Sequence, residues 1–185
     1  MKDLKVGDQV LTSQGDGQLD KYQPVYAFGH IDPNALATFI RIYTKDTADT
    51  PLELTAEHMV YVYGKTRPIR SDSIQVGDIL RGHNGSASTV TKISTMKGSG
   101  LYNPLTPSGT IVVGGIAASA YNDLEKYVAS QGGSMAALYA NQDFMHLVLS
   151  PFRLLCMGIS PNLYLCAAYD EAGRPPYVAF GRNLN

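Results

Sequence analysis

The chain has 185 residues, enough for one domain or two small ones, and folding at this length buries roughly 70% of the unfolded surface, so no disulfide or metal staple is obligatory. Its 15 Lys and Arg against 16 Asp and Glu give a formal charge of −1, which lacks the basic footprint of a nucleic-acid binder and predicts no nucleic-acid partner. The only cysteines, Cys156 and Cys166, are too few for a disulfide framework and lack the Cys/His clustering of a zinc site, so no metal or cofactor is expected.

From Val6 to Val113 short runs rich in Val, Ile, Tyr and Thr alternate with Gly, Asp, Asn and Pro, the pattern of strands and turns. The predicted strands are Asp8 to Thr12, Pro24 to Phe28, Phe39 to Thr44, Met59 to Tyr63, Ile79 to Leu80, Thr89 to Ile93 and Thr110 to Val113. After Ala117 the composition shifts to Ala, Leu, Met and Gln, which predicts helices near Ala118–Ala129, Ser134–Ala140 and Phe144–Met157. The expected architecture is an all-β body over residues 1–121 followed by a helical extension over 122–185.

Charge is split the same way: residues 1–97 carry 22 of the 31 charged side chains. Gly98 to Asn122 is uncharged, but Asn103, Pro104, Pro107 and its glycines interrupt the run, which excludes a membrane-spanning helix there. Met1 is followed by Lys2, Asp3 and Lys5 with no apolar stretch, so no secretory signal is read in the given sequence.

The β region repeats itself. Leu4-Lys5-Val6-Gly7-Asp8-Gln9-Val10-Leu11 returns as Ile74-Gln75-Val76-Gly77-Asp78-Ile79-Leu80, and Leu54-Thr55-Ala56-Glu57-His58-Met59-Val60 returns as Leu105-Thr106-Pro107-Ser108-Gly109-Thr110-Ile111. Two echoes in the same order predict a pseudo-twofold β architecture. The copies differ where chemistry enters, for the first Leu-Thr segment ends on His58 and the second on Gly109. Histidine titrates near neutral pH, and Thr55 supplies a hydroxyl that can orient a backbone group. Taken alone, Thr-x-x-His spacing favours a strand-end histidine beside a threonine turn.

These segments, with Tyr102-Asn103-Pro104-Leu105-Thr106-Pro107-Ser108-Gly109-Thr110-Ile111-Val112-Val113 and Ala118-Ser119-Ala120-Tyr121, resemble in order and spacing the Hint domain of Hedgehog-type precursors across roughly Met1 to Tyr121. Ser150-Pro151-Phe152-Arg153-Leu154 and the apolar tail are more weakly similar to the sterol-recognition extension that follows it. The resemblance implies a pseudo-twofold Hint fold with a helical extension that cuts its own precursor. A cysteine attacks the preceding peptide carbonyl to give a thioester, and an acceptor such as cholesterol, another sterol or water then takes the upstream segment. It also implies a secretory-pathway or extracellular setting. His58 would protonate or distort the scissile amide, and Thr55 would hold it by hydrogen bonding.

The sequence departs from this pattern in three places. The nucleophilic cysteine of the family precedes the Lys-Asp-Leu segment on which this sequence opens, so neither Cys156 nor Cys166 fills its role and the first strands are expected upstream. The family's acceptor-activating aspartate falls at His30, a residue still able to act as a general base, with Asp32 as the alternative or as a simple turn residue. Ala120 stands where Hedgehog members commonly have a further cysteine. Whether Cys156 and Cys166 pair is left open by the sequence.

Three functions compete. The first is a self-cleaving domain whose partner is its own upstream segment, with sterol or membrane lipid approached through 122–185. The second is a non-enzymatic Hint-like remnant that binds lipid or protein. The third, an intein, is disfavoured because Asn183-Leu184-Asn185 lacks an adjacent histidine. His83-Asn84-Gly85 is read as a turn and His146 as a structural or surface residue. A monomer is expected, with an unpaired sheet edge where the upstream strands would lie.

Overall fold

In the computed structural model the described residues are 1–14, 18–47, 50–130, 132, 135–158, 166 and 169. The expected helix start at Ser134, and most of the 159–185 stretch including Asn183-Leu184-Asn185, lie outside them. Ten strands form the body: β1 (Gln9–Thr12), β2 (Lys21–Pro24), β3 (Ala27–Thr44), β4 (Leu52–Leu54), β5 (His58–Val60), β6 (Ile69–Arg70), β7 (Ile79–Arg81), β8 (Ala87–Leu105), β9 (Thr110–Val113) and β10 (Ile116–Asn122). They assemble as sheets of order β4-β3-β8-β7 and β6-β5-β10-β9 plus the β1-β2 pair, and every strand pairing is antiparallel. Helices α1 (Glu125–Ser130), α2 (Gln142–Val148) and α3 (Ser150–Gly158) follow. The fold is mainly β with a short-helix extension, as the sequence predicts.

The internal repeat is real at the level of single hydrogen bonds. Gly7 and Gly77 adopt φ of 96° and 97°, a left-handed conformation that strains any residue with a Cβ. In each turn the aspartate Oδ2 accepts the backbone N–H three residues back, Lys5 for Asp8 and Gln75 for Asp78, both at 2.8 Å. The glycine N–H then reaches a neighbouring strand, Gly7 to the Val25 carbonyl at 2.8 Å and Gly77 to that of Val90 at 2.9 Å. Thus Val-Gly-Asp closes the same strand-entry turn twice.

Two long strands replace several short expected ones. β3 runs unbroken through Ile31-Asp32-Pro33-Asn34, where the sequence reading places a loop. Asp32 Oδ1 accepts the N–H groups of Asn34 and Ala35, both at 2.9 Å, folding the extra residues into a bulge between Asp32 and Leu36. Both flanks therefore stay paired with β8, and the pairing absorbs Pro33, which has no N–H to donate.

The helix expected over Ala118–Ala129 is a second correction. Residues Ile116 to Tyr121 are a buried central strand between β5 and β9, and only Glu125 onward is helical. A strand covered on both faces shows no alternation, so its Ala-rich run reads as helix until its neighbours are known. Asp123 Oδ1 accepts the Glu125 N–H at 2.9 Å and starts α1. The single helix expected over Phe144–Met157 is divided into α2 and α3, the break falling at Leu149, just before Pro151.

Two apolar clusters make the core. One gathers Ile42, Leu52, Leu54, Val60, Leu80, Val90 and Ile116 between the two large sheets. The other joins Tyr26, Ala27, Met59, Leu105, Ala120 and Tyr121 to Cys156 and Cys166, which form a disulfide. The extension is tied to the body through this second cluster. The Tyr26 and Phe152 rings meet edge-to-face at 6.1 Å, Tyr61 donates its hydroxyl proton to Gln142 Oε1 at 2.7 Å, and the Phe28 N–H donates to the Tyr169 hydroxyl at 2.7 Å.

Candidate functional site

The first Leu-Thr segment ends β4 and turns into β5. His58 donates its backbone N–H to the Thr55 carbonyl at 3.1 Å, which brings the two side chains together. Thr55 Oγ1 then lies 3.0 Å from His58 Nδ1. Ser71 Oγ donates to the same Thr55 carbonyl at 2.8 Å, fixing the turn from the far side. With Nδ1 engaged, Nε2 is the ring atom left for chemistry. Burial pushes the His58 pKa down to about 4, opposed by the nearby Glu57 carboxylate, so the imidazole is neutral at pH 7.

The backbone around His58 is clamped by charge. Arg70 is bonded to Asp72 at 2.6 Å and reaches Asp123 at 3.6 Å and Glu57 at 3.9 Å. The Asp72 hydrogen bond holds the guanidinium charged and holds the Asp72 carboxyl below its usual range. Asp123 donates its N–H to the Glu57 carbonyl at 2.8 Å. Between these anchors β10 bulges, and Asn122 comes directly opposite His58. The Asn122 Oδ1 is buried with no hydrogen-bond partner among the described residues. No sequence signal marks this group, because Glu57, Arg70, Asn122 and Asp123 come from separated segments.

The second segment repeats the backbone and not the chemistry. Gly109 donates its N–H to the Thr106 carbonyl at 3.0 Å, matching His58 and Thr55. Gly109 has φ of +71°, and a Cβ there would lie 2.7 Å from Tyr121 Cε2 and 2.8 Å from His146 Nδ1. The socket is filled by Tyr121 of β10 and by the extension: the Tyr121 hydroxyl and His146 Nδ1 are 2.8 Å apart, with Arg153 3.2 Å from the same nitrogen. Burial and the Arg153 charge push His146 down, and burial pushes Tyr121 up, so both stay neutral at pH 7. His146, read from the sequence as a structural or surface residue, packs against Tyr121 and Arg153.

His30 is not joined to Thr55 or His58 by a hydrogen bond. It sits on β3 opposite Asn103, just past the Gly29 bulge, with Nε2 buried and unpartnered among the described residues. β3 and β5 nevertheless border one cluster, through Ala27 and Met59. Asp32, the alternative to His30, spends Oδ1 on its bulge. His83 pairs with Asp20 at 2.7 Å, and Asn84 takes φ of 52° beside it, so this group fastens a turn to the β1–β2 connection.

The Hint-module family model matches residues 1–157. The chain belongs to the Hint family. Among curated proteins it is similar to Sonic hedgehog protein of Xenopus laevis, 28% identical over 188 residues covering 95% of this chain and 37% of that protein. It is also 30% identical to Indian hedgehog B protein of Danio rerio over 181 residues, covering 89% of this chain and 40% of that protein. The chain thus spans well under half the length of these relatives. Solved structures agree on the fold: the intein-like domain of Clostridium thermocellum superposes with a TM-score of 0.54 at 15% identity, covering 64% of this chain and 85% of that one. The DnaB intein of Synechocystis sp. PCC 6803 superposes with a TM-score of 0.52 at 9% identity, covering 62% and 79%. This Hint chain therefore belongs with the hedgehog-like autoprocessing domains, and its fold is the one that inteins share.

Proposed function

We propose that this Hint domain cleaves the peptide bond joining it to an upstream segment and passes that segment to an acceptor. One observation carries the reading: of two equivalent sockets, one holds a half-buried, neutral histidine hydrogen-bonded to a threonine hydroxyl. A cysteine thiol supplied upstream gives its proton to His58 Nε2, and its sulfur attacks the carbonyl carbon. The C–N bond breaks as the imidazolium returns that proton to nitrogen, leaving a thioester and a free amine. Desolvation, which pushes the ring's pKa down, makes the transient imidazolium a better proton donor to a poor leaving group such as an amide nitrogen. An acceptor hydroxyl then attacks the thioester carbon, the C–S bond breaks, and the thiol is regenerated; the orphaned His30 Nε2 is the proposed base for that hydroxyl.

Internal symmetry supports one entry edge for the proposed upstream segment. β6 precedes the second Val-Gly-Asp turn and pairs with β5. The counterpart of β5 is β9, which pairs with β10 alone among the described strands. Beside it runs an open groove of about 500 Å³ lined by Met1, Leu4, Val10, Leu11, Ile111 and Val113. A strand preceding Met1 would add to this edge as β6 adds to β5.

A sterol or membrane lipid is the proposed acceptor class. Leu147, Val148, Leu154 and Met157 of α2 and α3 are exposed, apolar side chains of the kind a lipid-facing extension would present. The disulfide supports a secretory or extracellular setting, where such bonds persist. The same exposed side chains also fit the alternative of an inactive lipid-binding remnant. The deciding experiment expresses the chain with the segment encoded before it. Cleavage at the junction, accelerated by dithiothreitol, supports self-processing, and an uncleaved product with or without thiol refutes it. Sterol-containing vesicles then decide the acceptor: ester-linked sterol on the released segment is expected, and release by hydrolysis alone removes sterol from the proposal.

A further inference from the structure

We propose that Asn122 is a catalytic residue of this site, its Oδ1 accepting the N–H of the scissile peptide bond; this rests on the self-cleavage reading above. Asn122 and His58 are direct cross-strand partners on β10 and β5. Residues so paired project their side chains from the same face, with Cβ atoms about 4.5–5.5 Å apart. One peptide nitrogen can therefore meet both groups.

The bulge in β10 is what makes this possible. Register slips between Ala118, paired with Val60, and Asn122, paired with His58, so four residues of β10 span what two residues of β5 span. The Asp123 N–H to Glu57 carbonyl bond and the Arg70–Asp123 ion pair lock the far side of the slip. The result is a buried carboxamide oxygen with no donor among the described residues. An unmatched buried acceptor costs free energy, and a peptide N–H seated there removes that cost. Thr55 already occupies His58 Nδ1, which leaves Nε2 as the ring nitrogen for the scissile amide.

The chemistry follows from the shape of an amide. The N–H lies in the amide plane, whereas the nitrogen electrons that must accept a proton stand perpendicular to it. Oδ1 gripping the N–H turns that perpendicular face to His58 Nε2. When sulfur adds to the carbonyl carbon, nitrogen takes the proton from Nε2, the C–N bond breaks, and the amine leaves with its original N–H still held by Asn122. The bond count is unchanged by Asn122, which positions and releases the nitrogen without gaining or losing a proton.

The test uses the precursor with its natural upstream segment, carrying Asn122→Leu, Asn122→Asp or His58→Ala, each verified as folded by its melting transition. Asn122→Leu, similar in size and without an acceptor, is expected to slow cleavage about tenfold. Asn122→Asp keeps an acceptor in place and is expected to cleave faster than Asn122→Leu. Leu at the wild-type rate, or Asp as slow as Leu, overturns the proposal. If His58→Ala also cleaves at the wild-type rate, the self-cleavage reading fails as well, whereas a dead His58→Ala beside an unaffected Asn122→Leu sinks the asparagine alone. In the 185-residue chain itself, Asn122→Asp is expected to raise the His58 pKa above about 4, read by NMR titration. An unmoved pKa contradicts the placement.

Discussion

The turn from Thr55 to His58 and the turn from Thr106 to Gly109 have the same backbone bond, 3.1 Å in one and 3.0 Å in the other, yet only the first ends on a residue with a titratable side chain. The difference is what fills the socket. At His58 the imidazole itself fills it, with Thr55 on Nδ1 and Nε2 left over. At Gly109 the Tyr121 ring and His146 take that volume, and the positive φ removes any side chain from contention. A duplicated fold thus offers two equivalent positions, and packing of Tyr121 from β10 with His146 from the extension closes one of them.

The sharpest way to break the comparison is to erase it. His58→Ala makes the first socket as inert as the second, and precursor cleavage is expected to fall by about a hundredfold or more, followed by electrophoresis over time. Retention of wild-type cleavage would leave the two turns functionally equal and refute the asymmetry. The reverse exchange, Gly109→His, meets both the left-handed backbone and the Tyr121–His146 contact. It is expected to cost about 3 kcal/mol or more, lowering the melting temperature by roughly 6–12 °C. An unshifted melt would show that the second socket is not closed.

Acidity separates the two sockets next. His58 has a folded pKa of about 4 against 6.5 for a free histidine, so between those values the unfolded chain binds more protons. Stability from this group is full above pH 6.5 and is lost as pH falls toward 4. Allowing for the solvent the residue still meets, the loss is about 2–3 kcal/mol. Denaturant titrations at pH 7 and pH 4.5 are expected to show a steeper decline for wild type than for His58→Gln, and parallel declines would contradict a buried neutral ring. The smallest effect is that of Thr55→Val. It removes the hydroxyl from Nδ1 at nearly constant volume, with an expected cost of about 1 kcal/mol in unfolding measurements and a cleavage rate reduced about tenfold. Full activity in that variant would reduce the threonine to a turn former.

Much of this comparison is legible in the linear chain. Val-Gly-Asp announces its turn because only glycine accepts φ near +96° and a following aspartate can close the loop on its own backbone. The Thr55–His58 pairing is local, three residues apart, so spacing alone places both groups in one turn. β10 was opaque for the opposite reason. Its Ala-rich run carries helix propensity, and what makes it a strand is pairing with β5, more than 50 residues away, together with β9 across the Gly114-Gly115 turn. Asp32-Pro33-Asn34 likewise signals a turn correctly, but pairing on both sides turns it into a bulge inside one strand.

What the sequence by itself determined is the doubled β plan and the Thr55–His58 pair, since each is a matter of local spacing and residue type. Only tertiary structure decided that Asn122 faces His58 across a bulge, that Arg70 clamps Glu57 and Asp123, that Tyr121 and His146 plug the second socket, and that Cys156 joins Cys166. These are contacts between segments distant in the chain, Cys156 and Cys166 excepted, and their energies exist only once register and packing have brought the segments together.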